Sequence, residues 1–154
     1  MDRQKSIGYS LRQRSPRTIN SPAKRQSPII LIVEDEDNLA ELLALRLGRK
    51  HLATVIAHDG RTACQMAVNC RPDLILLDIM LPEMDGWEVC SFIRSHREQE
   101  IADVPIIMLS ALCSLDTKYK GQSVGADAFL RKPYDFEQIF TKINLLLPAT
   151  GNCR

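Results

Sequence analysis

Five short apolar runs alternate with five amphipathic segments after Pro28, and this alternation limits the folds open to the chain more than any other feature. Each run has four or five residues, many of them β-branched, as is typical of parallel strands buried on both faces. Strands that alternate with helices form a parallel sheet with helices on both sides, joined by right-handed crossovers. We therefore predict an α/β fold with strands at 29–33, 52–56, 73–77, 105–109 and 128–131.

The segments between these runs carry apolar residues at helical spacing, with charged residues between them. Predicted helices cover about 37–49, 59–70, 86–96, 117–124 and 136–147, and we expect Gly125 to end the fourth of them. Five such units favour a (βα)5 flavodoxin-like three-layer sandwich with strand order 2-1-3-4-5. In that order strands 1 and 3 are neighbours, and ligands bind beside the carboxyl ends of the strands.

Polar residues follow four of the five predicted strands. They are Glu34 and Asp35 after strand 1, Asp78 after strand 3, Ser110 after strand 4 and Lys132 after strand 5. Because the carboxyl ends of parallel strands meet at one edge of a sheet, we expect three carboxylates, one hydroxyl and one ammonium to converge there. A carboxylate at the end of a buried strand needs a partner. This convergence supplies one for Asp78.

Each of these residues also suits an ordinary structural role. Acidic residues at 34–37 favour a helix N-terminus, Asp78 suits a turn, and Ser110 and Lys132 suit a loop and a solvated surface. All of these roles would have to coincide at the ends of four strands, so a shared site is the better interpretation. Several carboxylates favour a hard cation such as Mg²⁺. A carboxylate can also attack phosphorus, with a cation neutralising the transferring group.

Four segments resemble the receiver domain of two-component response regulators, the CheY-like family. In order along the chain they read "ILIVEDED", "DLILLDIMLPEMDGWEV", "VPIIMLSA" and "GADAFLRKPY". The resemblance covers about residues 28–147 and keeps the order and spacing of all four segments. The same family has the fold predicted above.

This resemblance implies roles for the acidic residues. Asp78 matches the phosphoacceptor, and Mg²⁺ would be bound by Asp35, by Asp78 and by the backbone carbonyl of Met80. Glu34 matches the other acidic position, which holds the water shell of the metal. Aspartate is commoner at that position, and glutamate is one methylene longer.

The resemblance also implies the residues that respond to phosphorylation. Ser110 matches the switch hydroxyl, Lys132 the phosphate-binding lysine and Phe129 the aromatic switch position. The bond between Lys132 and Pro133 is cis in this family, a form that proline makes accessible. A phenylalanine on a short strand is also an ordinary core residue, and the sequence leaves both roles open.

Two apolar residues occupy positions that flank the approach of water to the phosphoryl group in this family. They are Met80, two residues after the phosphoacceptor, and Leu112, two residues after the switch hydroxyl. Neither side chain can orient a water molecule strongly by hydrogen bonding. We therefore expect a long-lived phosphoryl group, with the alternative that both are ordinary loop residues.

Charge and composition divide the chain into three parts. Residues 1–28 carry seven Lys and Arg against one Asp, and their scattered apolar residues predict a disordered basic arm. Residues 29–148 form the predicted receiver domain, with a net negative charge, and residues 149–154 a loose tail.

Five cysteines without metal-ligand spacing predict reduced thiols. The absence of a long apolar run predicts a cytoplasmic protein without a membrane segment.

The sequence thus predicts a single-domain response regulator that is phosphorylated by a histidine kinase or a histidine phosphotransfer protein. We expect a change at the face of the fourth helix, fifth strand and last helix to act on an unidentified downstream protein. One alternative is an aspartate-nucleophile phosphatase, but such enzymes carry a second Asp where this chain has Met80. Another is a nucleic-acid-associated regulator using the basic arm, although specific binding is not expected from cations alone. The oligomeric state is not fixed by the sequence.

Overall fold

A single parallel sheet organises the computed structural model, which describes residues 26–111 and 115–147. Its strands run in the order β2-β1-β3-β4-β5, so the predicted topology is confirmed. The strands are β1 (Ile29–Val33), β2 (Ala53–Ala57), β3 (Leu74–Asp78), β4 (Ile106–Ser110) and β5 (Ala128–Arg131).

Helices cover both faces of the sheet. They are α1 (Asp37–Gly48), α2 (Gly60–Cys70), α3 (Gly86–Arg94), α4 (Gln99–Ala102), α5 (Leu115–Val124) and α6 (Phe136–Leu146). Core contacts place α1 and α6 against one face and α2, α3 and α4 against the other. The three-layer α/β sandwich predicted from the sequence is therefore confirmed.

Alternation along each central strand feeds both halves of the core. In β1, Ile30 and Ile32 pack in the cluster on the α1 and α6 side, whereas Leu31 and Val33 pack in the cluster on the other side. All four side chains are fully buried. Because successive side chains of a strand point to opposite faces, a strand covered on both sides must be apolar throughout.

Several predicted boundaries differ from the structure by one or two residues. The second, third and fourth strands each lie one residue later than predicted: Ala57 pairs with Val33, and Asp78 and Ser110 remain in the ladder although they are polar. The third helix ends at Arg94 rather than at residue 96, where Ser95 Oγ donates hydrogen bonds to the carbonyls of Ser91 and Phe92. Gly125 has φ of 86° and follows α5, as expected for a C-terminal cap.

The one-turn helix α4 was not predicted from the sequence, and one arginine of α3 holds it in place. Arg94 donates from Nη1 to the carbonyls of Ala102 (2.7 Å) and Val104 (2.8 Å), and from Nε to that of Gly125 (2.7 Å). Its Nη2 pairs with Asp127 at 2.7 Å. This single guanidinium therefore joins α3 to the segments that follow α4 and α5.

The other sequence predictions about the chain have mixed outcomes. Cys64 and Cys90 are buried, Cys70 is half-buried and all three are free thiols, as predicted. Cys113 and Cys153, residues 1–25 of the predicted arm and the predicted tail lie outside the described residues. Across residues 26–111 and 115–147, no helix combines the length and apolar character needed to cross a bilayer.

Replacing Arg94 by methionine should destabilise the fold by about 2–4 kcal/mol, because buried carbonyls and Asp127 would lose a charged donor. Denaturant unfolding measures the loss. Arg97→Met is the matched control: Arg97 is exposed, and its substitution should change the free energy of unfolding by less than about 0.5 kcal/mol. Equal losses in the two variants would contradict the role assigned to Arg94.

Candidate functional site

Two buried carboxylates stand side by side at the carboxyl edge of the sheet. Asp78 is the last residue of β3 and is 3% exposed, and Glu34, directly after β1, is 1% exposed. The two strands are paired with Val33 opposite Leu77, so the register brings both acids to the same level. Burial of two like charges this close requires a compensating cation.

Lys132 supplies that cation. Its Nζ lies 2.9 Å from Oδ2 of Asp78 and 3.1 Å from Oε2 of Glu34. The lysine follows β5, where its backbone N–H donates to the carbonyl of Ser110 at 2.7 Å. The peptide bond between Lys132 and Pro133 is cis, as the resemblance implied. One ammonium is thus shared by two carboxylates that come from strands at the centre of the sheet.

Backbone donors bind the remaining oxygens of the two acids. Oδ1 of Asp78 accepts from the N–H of Met80 at 3.1 Å, and Oε1 of Glu34 accepts from the N–H of Glu36 at 3.2 Å. All four carboxylate oxygens therefore have a donor, which is the condition for keeping buried acids in a stable fold.

Burial and the second acid change the pKa values of the site. Burial, followed by the charge of Asp78, raises the pKa of Glu34 from 4.5 to about 7, although the hydrogen bond and charge of Lys132 oppose the change. Burial lowers the pKa of Lys132, but its hydrogen bonds to Asp78 and Glu34 outweigh that effect and leave the pKa raised. The lysine is therefore a permanent cation at neutral pH.

A third carboxylate faces solvent beside this pair. Asp35 is exposed, and one oxygen from each of Glu34, Asp35 and Asp78 lies within 4.8 Å of the other two. No other group of three or more acidic, histidine or cysteine side chains with such spacing occurs among the residues that the structure describes. Three oxygen donors with one exposed member fit a hard divalent cation that keeps part of its water shell.

Ser110 and Phe129 lie where the sequence predicted, along β4 and β5. Ser110 ends β4, is 2% exposed and pairs in register with Arg131. Phe129 is half-buried on β5, and its ring centroid lies 6.0 Å from that of Trp87. The structure therefore brings Ser110, Lys132 and the buried acids to one edge of the sheet. Phe129 lies on β5, two residues before the end of that strand.

Of the two residues predicted to control the lifetime of a phosphoryl group, the structure describes only Met80. The side chain of Met80 is 60% exposed at the rim of the site, and the backbone N–H of the same residue donates to Asp78. Leu112 lies outside the described residues.

Sequence reasoning missed two residues that shape the site. A Cβ on Gly86 would lie 2.4 Å from the carbonyl oxygen of Asp78, so only glycine allows α3 to begin this close to β3. The Asp85-Gly86 pair at the start of α3 was an available signal. His58, after β2, places Nδ1 3.1 Å from the carbonyl oxygen of Glu34 and 3.3 Å from Oδ1 of Asp37. No local pattern marks that contact.

Comparison with known proteins gives consistent matches over the folded part of the chain. Residues 30–144 match the family model for the response regulator receiver domain. The chain is 38% identical over 123 residues to the DNA-binding dual master transcriptional regulator RpaA of Synechocystis, covering 80% of this chain and 50% of that protein. It is 38% identical over 118 residues to the response regulator ArlR of Staphylococcus saprophyticus, covering 77% and 51%. The chain thus spans about half the length of these relatives.

Solved structures of similar fold are matched over almost their whole length. The chemotaxis protein CheY4 of Vibrio cholerae superposes with a TM-score of 0.73 at 28% identity, covering 79% of this chain and 99% of that one. The receiver domain of Francisella response regulator 1452 superposes with a TM-score of 0.72 at 27% identity, covering 79% and 97%.

The raised pKa of Glu34 predicts a pH dependence of stability in metal-free solution. Between pH 4.5 and 7 the folded protein holds a proton on Glu34 that the unfolded chain has lost, so stability falls as pH rises through this window. From pH 5 to pH 8, denaturant unfolding should show a loss about 2–3 kcal/mol larger in the wild type than in Glu34→Gln. The exposed control Glu41→Gln should behave like the wild type. Parallel profiles for wild type and Glu34→Gln would refute the expectation.

Proposed function

This chain belongs to the response regulator receiver domain family, and from that premise we propose that Asp78 accepts a phosphoryl group and controls a switch in two-component signalling. The observation that supports this most is the setting of Asp78. It is a buried carboxylate at the switch point of the sheet, bound by Lys132 Nζ on one oxygen and by the N–H of Met80 on the other.

In the proposed reaction a carboxylate oxygen of Asp78 attacks the phosphorus of a phosphohistidine. A P–O bond forms and the P–N bond breaks, so that an acyl phosphate is left on Asp78 and the histidine leaves with its electron pair. With a small acyl phosphate as donor, the P–O bond to the donor breaks and its carboxylate leaves instead. Hydrolysis by water returns the carboxylate and inorganic phosphate.

Residues beside Asp78 would stabilise the phosphoryl group. Lys132 lies 2.9 Å from the attacking carboxylate and is a permanent cation, so it can follow the new negative charge from carboxylate to phosphoryl oxygen. Ser110 ends the neighbouring strand and can donate its hydroxyl to another phosphoryl oxygen. Burial of Asp78 and Ser110 would strengthen both contacts, because less water screens them.

The acidic group fits Mg²⁺, which we propose as the cofactor. Asp35, Asp78 and the backbone carbonyl of Met80 would bind the ion directly, and Glu34 would hold its water shell. When bound, Mg²⁺ would supply neutralisation of the phosphoryl oxygens. Burial, and then the charge of Asp78, disfavour the charged form of Glu34, and a divalent cation beside the three carboxylates would favour it.

Phosphorylation would then favour a second arrangement of the domain. The phosphate adds about −1.5 to −2 charge at the edge of the sheet, which draws Ser110 and Lys132 towards it. Phe129 and the face formed by α5, β5 and α6 would repack in response. Moving a population from 1:99 to 99:1 requires a differential free energy of about 5.5 kcal/mol. We propose a histidine kinase or histidine phosphotransfer protein as the donor and a downstream protein as the reader of this face.

The exposed rim of the site bears on the lifetime of the phosphoryl group. Met80 offers a thioether there instead of a polar group, and Leu112 is apolar in sequence. We propose that neither side chain orients an attacking water, so that loss of the phosphoryl group is slow without a partner phosphatase.

Mass spectrometry of the intact chain after incubation with acetyl phosphate and Mg²⁺ tests the assignment of Asp78. The wild type should gain one phosphoryl group, and chelation of the metal should abolish the gain. Asp78→Asn should gain none, because an amide cannot attack phosphorus. Asp103→Asn, the same chemical change at an exposed position before β4, should react like the wild type. Phosphorylation of Asp78→Asn at the wild-type rate would refute the proposal.

A further inference from the structure

The single tryptophan of the chain lies on α3 and contacts two other elements, β5 and α5. Trp87 is the second residue of α3 and is 8% exposed. Its ring centroid lies 6.0 Å from that of Phe129 on β5, with the planes inclined at 41°. Lys120 of α5 places its Nζ 5.2 Å from the same ring. One side chain of α3 thus links β5 and α5.

The backbone next to Trp87 is fixed to the strand that carries Asp78. The N–H of Gly86 donates to the carbonyl of Ile79 at 2.9 Å, and Gly86 lies too close to the carbonyl of Asp78 to accept a Cβ. Asp85 caps the helix and accepts from the N–H of Glu88 at 3.0 Å. The start of α3, and Trp87 with it, is therefore tied rigidly to the end of β3.

The contact between Lys120 and Trp87 is made by an exposed side chain, whereas backbone hydrogen bonds fix the start of α3. Lys120 is exposed, and a cation over an indole ring is attracted by the electrons of the ring face. Both residues line an open groove between α3 and α5, which Asp85 and Glu88 also line. The groove thus carries two carboxylates on the same surface as the ammonium.

We propose that Lys120 and Trp87 form a latch that stabilises the arrangement in which Lys132 binds Asp78, and that the latch opens when Phe129 and α5 repack. This inference rests on the proposed function. Trp87 is a positioning residue in it, because it acts on the site through Phe129 and through the start of α3. A contact present in only one of two arrangements stabilises that arrangement, so losing it favours the other.

Lys120→Gln and Lys120→Arg separate the latch from other effects of the side chain. Glutamine removes the charge, whereas arginine keeps a cation that can stack on the indole. Position 120 is exposed, so both variants should fold, and thermal melts of both verify this.

Beryllofluoride with Mg²⁺, a non-covalent mimic of a phosphoryl group on a carboxylate, is the probe, and calorimetry measures its affinity for the full chain. Linkage requires that a contact broken by the mimic oppose its binding. Lys120→Gln should therefore bind beryllofluoride about two- to fivefold more tightly than the wild type, the range that corresponds to an exposed cation–π contact. Lys120→Arg should bind with wild-type affinity. The emission of Trp87 should change on binding in the wild type and in Lys120→Arg.

The outcomes distinguish this inference from the proposed function. A wild type that binds no beryllofluoride and takes up no phosphoryl group overturns the proposed function, and the latch with it. A wild type that binds the mimic while Lys120→Gln binds it no more tightly overturns the latch alone. Equal tightening in both variants also overturns it, because arginine retains the charge.

Discussion

The ammonium of Lys132 between Glu34 and Asp78 is the interaction on which the rest of this site depends. Two carboxylates that are 1% and 3% exposed repel each other at the end of adjacent strands, and without a cation one of them would have to be neutral. Burial, followed by the charge of Asp78, still raises the pKa of Glu34 to about 7, so the lysine offsets these two effects only in part. Together with the exposed carboxylate of Asp35, these acids form a group of oxygen donors that fits the divalent cation proposed above.

Parallel topology explains why these residues meet. The sheet order β2-β1-β3-β4-β5 makes β1 and β3 neighbours although β2 lies between them in sequence, and their carboxyl ends point to the same edge. The backbone of β5 then returns Lys132 to the end of β4 through a hydrogen bond to Ser110. The start of α3 lies beside these ends, where the N–H of Gly86 donates to the carbonyl of Ile79.

The sequence predicted the parts of the molecule that follow from local patterns. Apolar runs predicted the five strands, and the polar residues after the third, fourth and fifth runs predicted the positions of Asp78, Ser110 and Lys132. The four residues of α4 are too few to show helical periodicity, so that helix escaped detection. Its position depends on Arg94, which also binds Gly125 and Asp127, more than thirty residues further along the chain.

The other features that the sequence did not predict are contacts between residues of different helices and strands. The neighbours of Trp87, Phe129 and Lys120, lie more than thirty residues further along the chain. His58 meets the carbonyl of Glu34 only because β1 and β2 are paired. Residue patterns that repeat within one helix or strand carry no information about such meetings.

Mapping the phosphorylated residue tests the central claim most directly. Borohydride reduces an acyl phosphate on aspartate to homoserine, which tandem mass spectrometry locates within the chain. After reaction with acetyl phosphate and Mg²⁺, we expect homoserine at position 78 and at no other aspartate. Homoserine at Asp35, or at any position other than 78, would contradict the account.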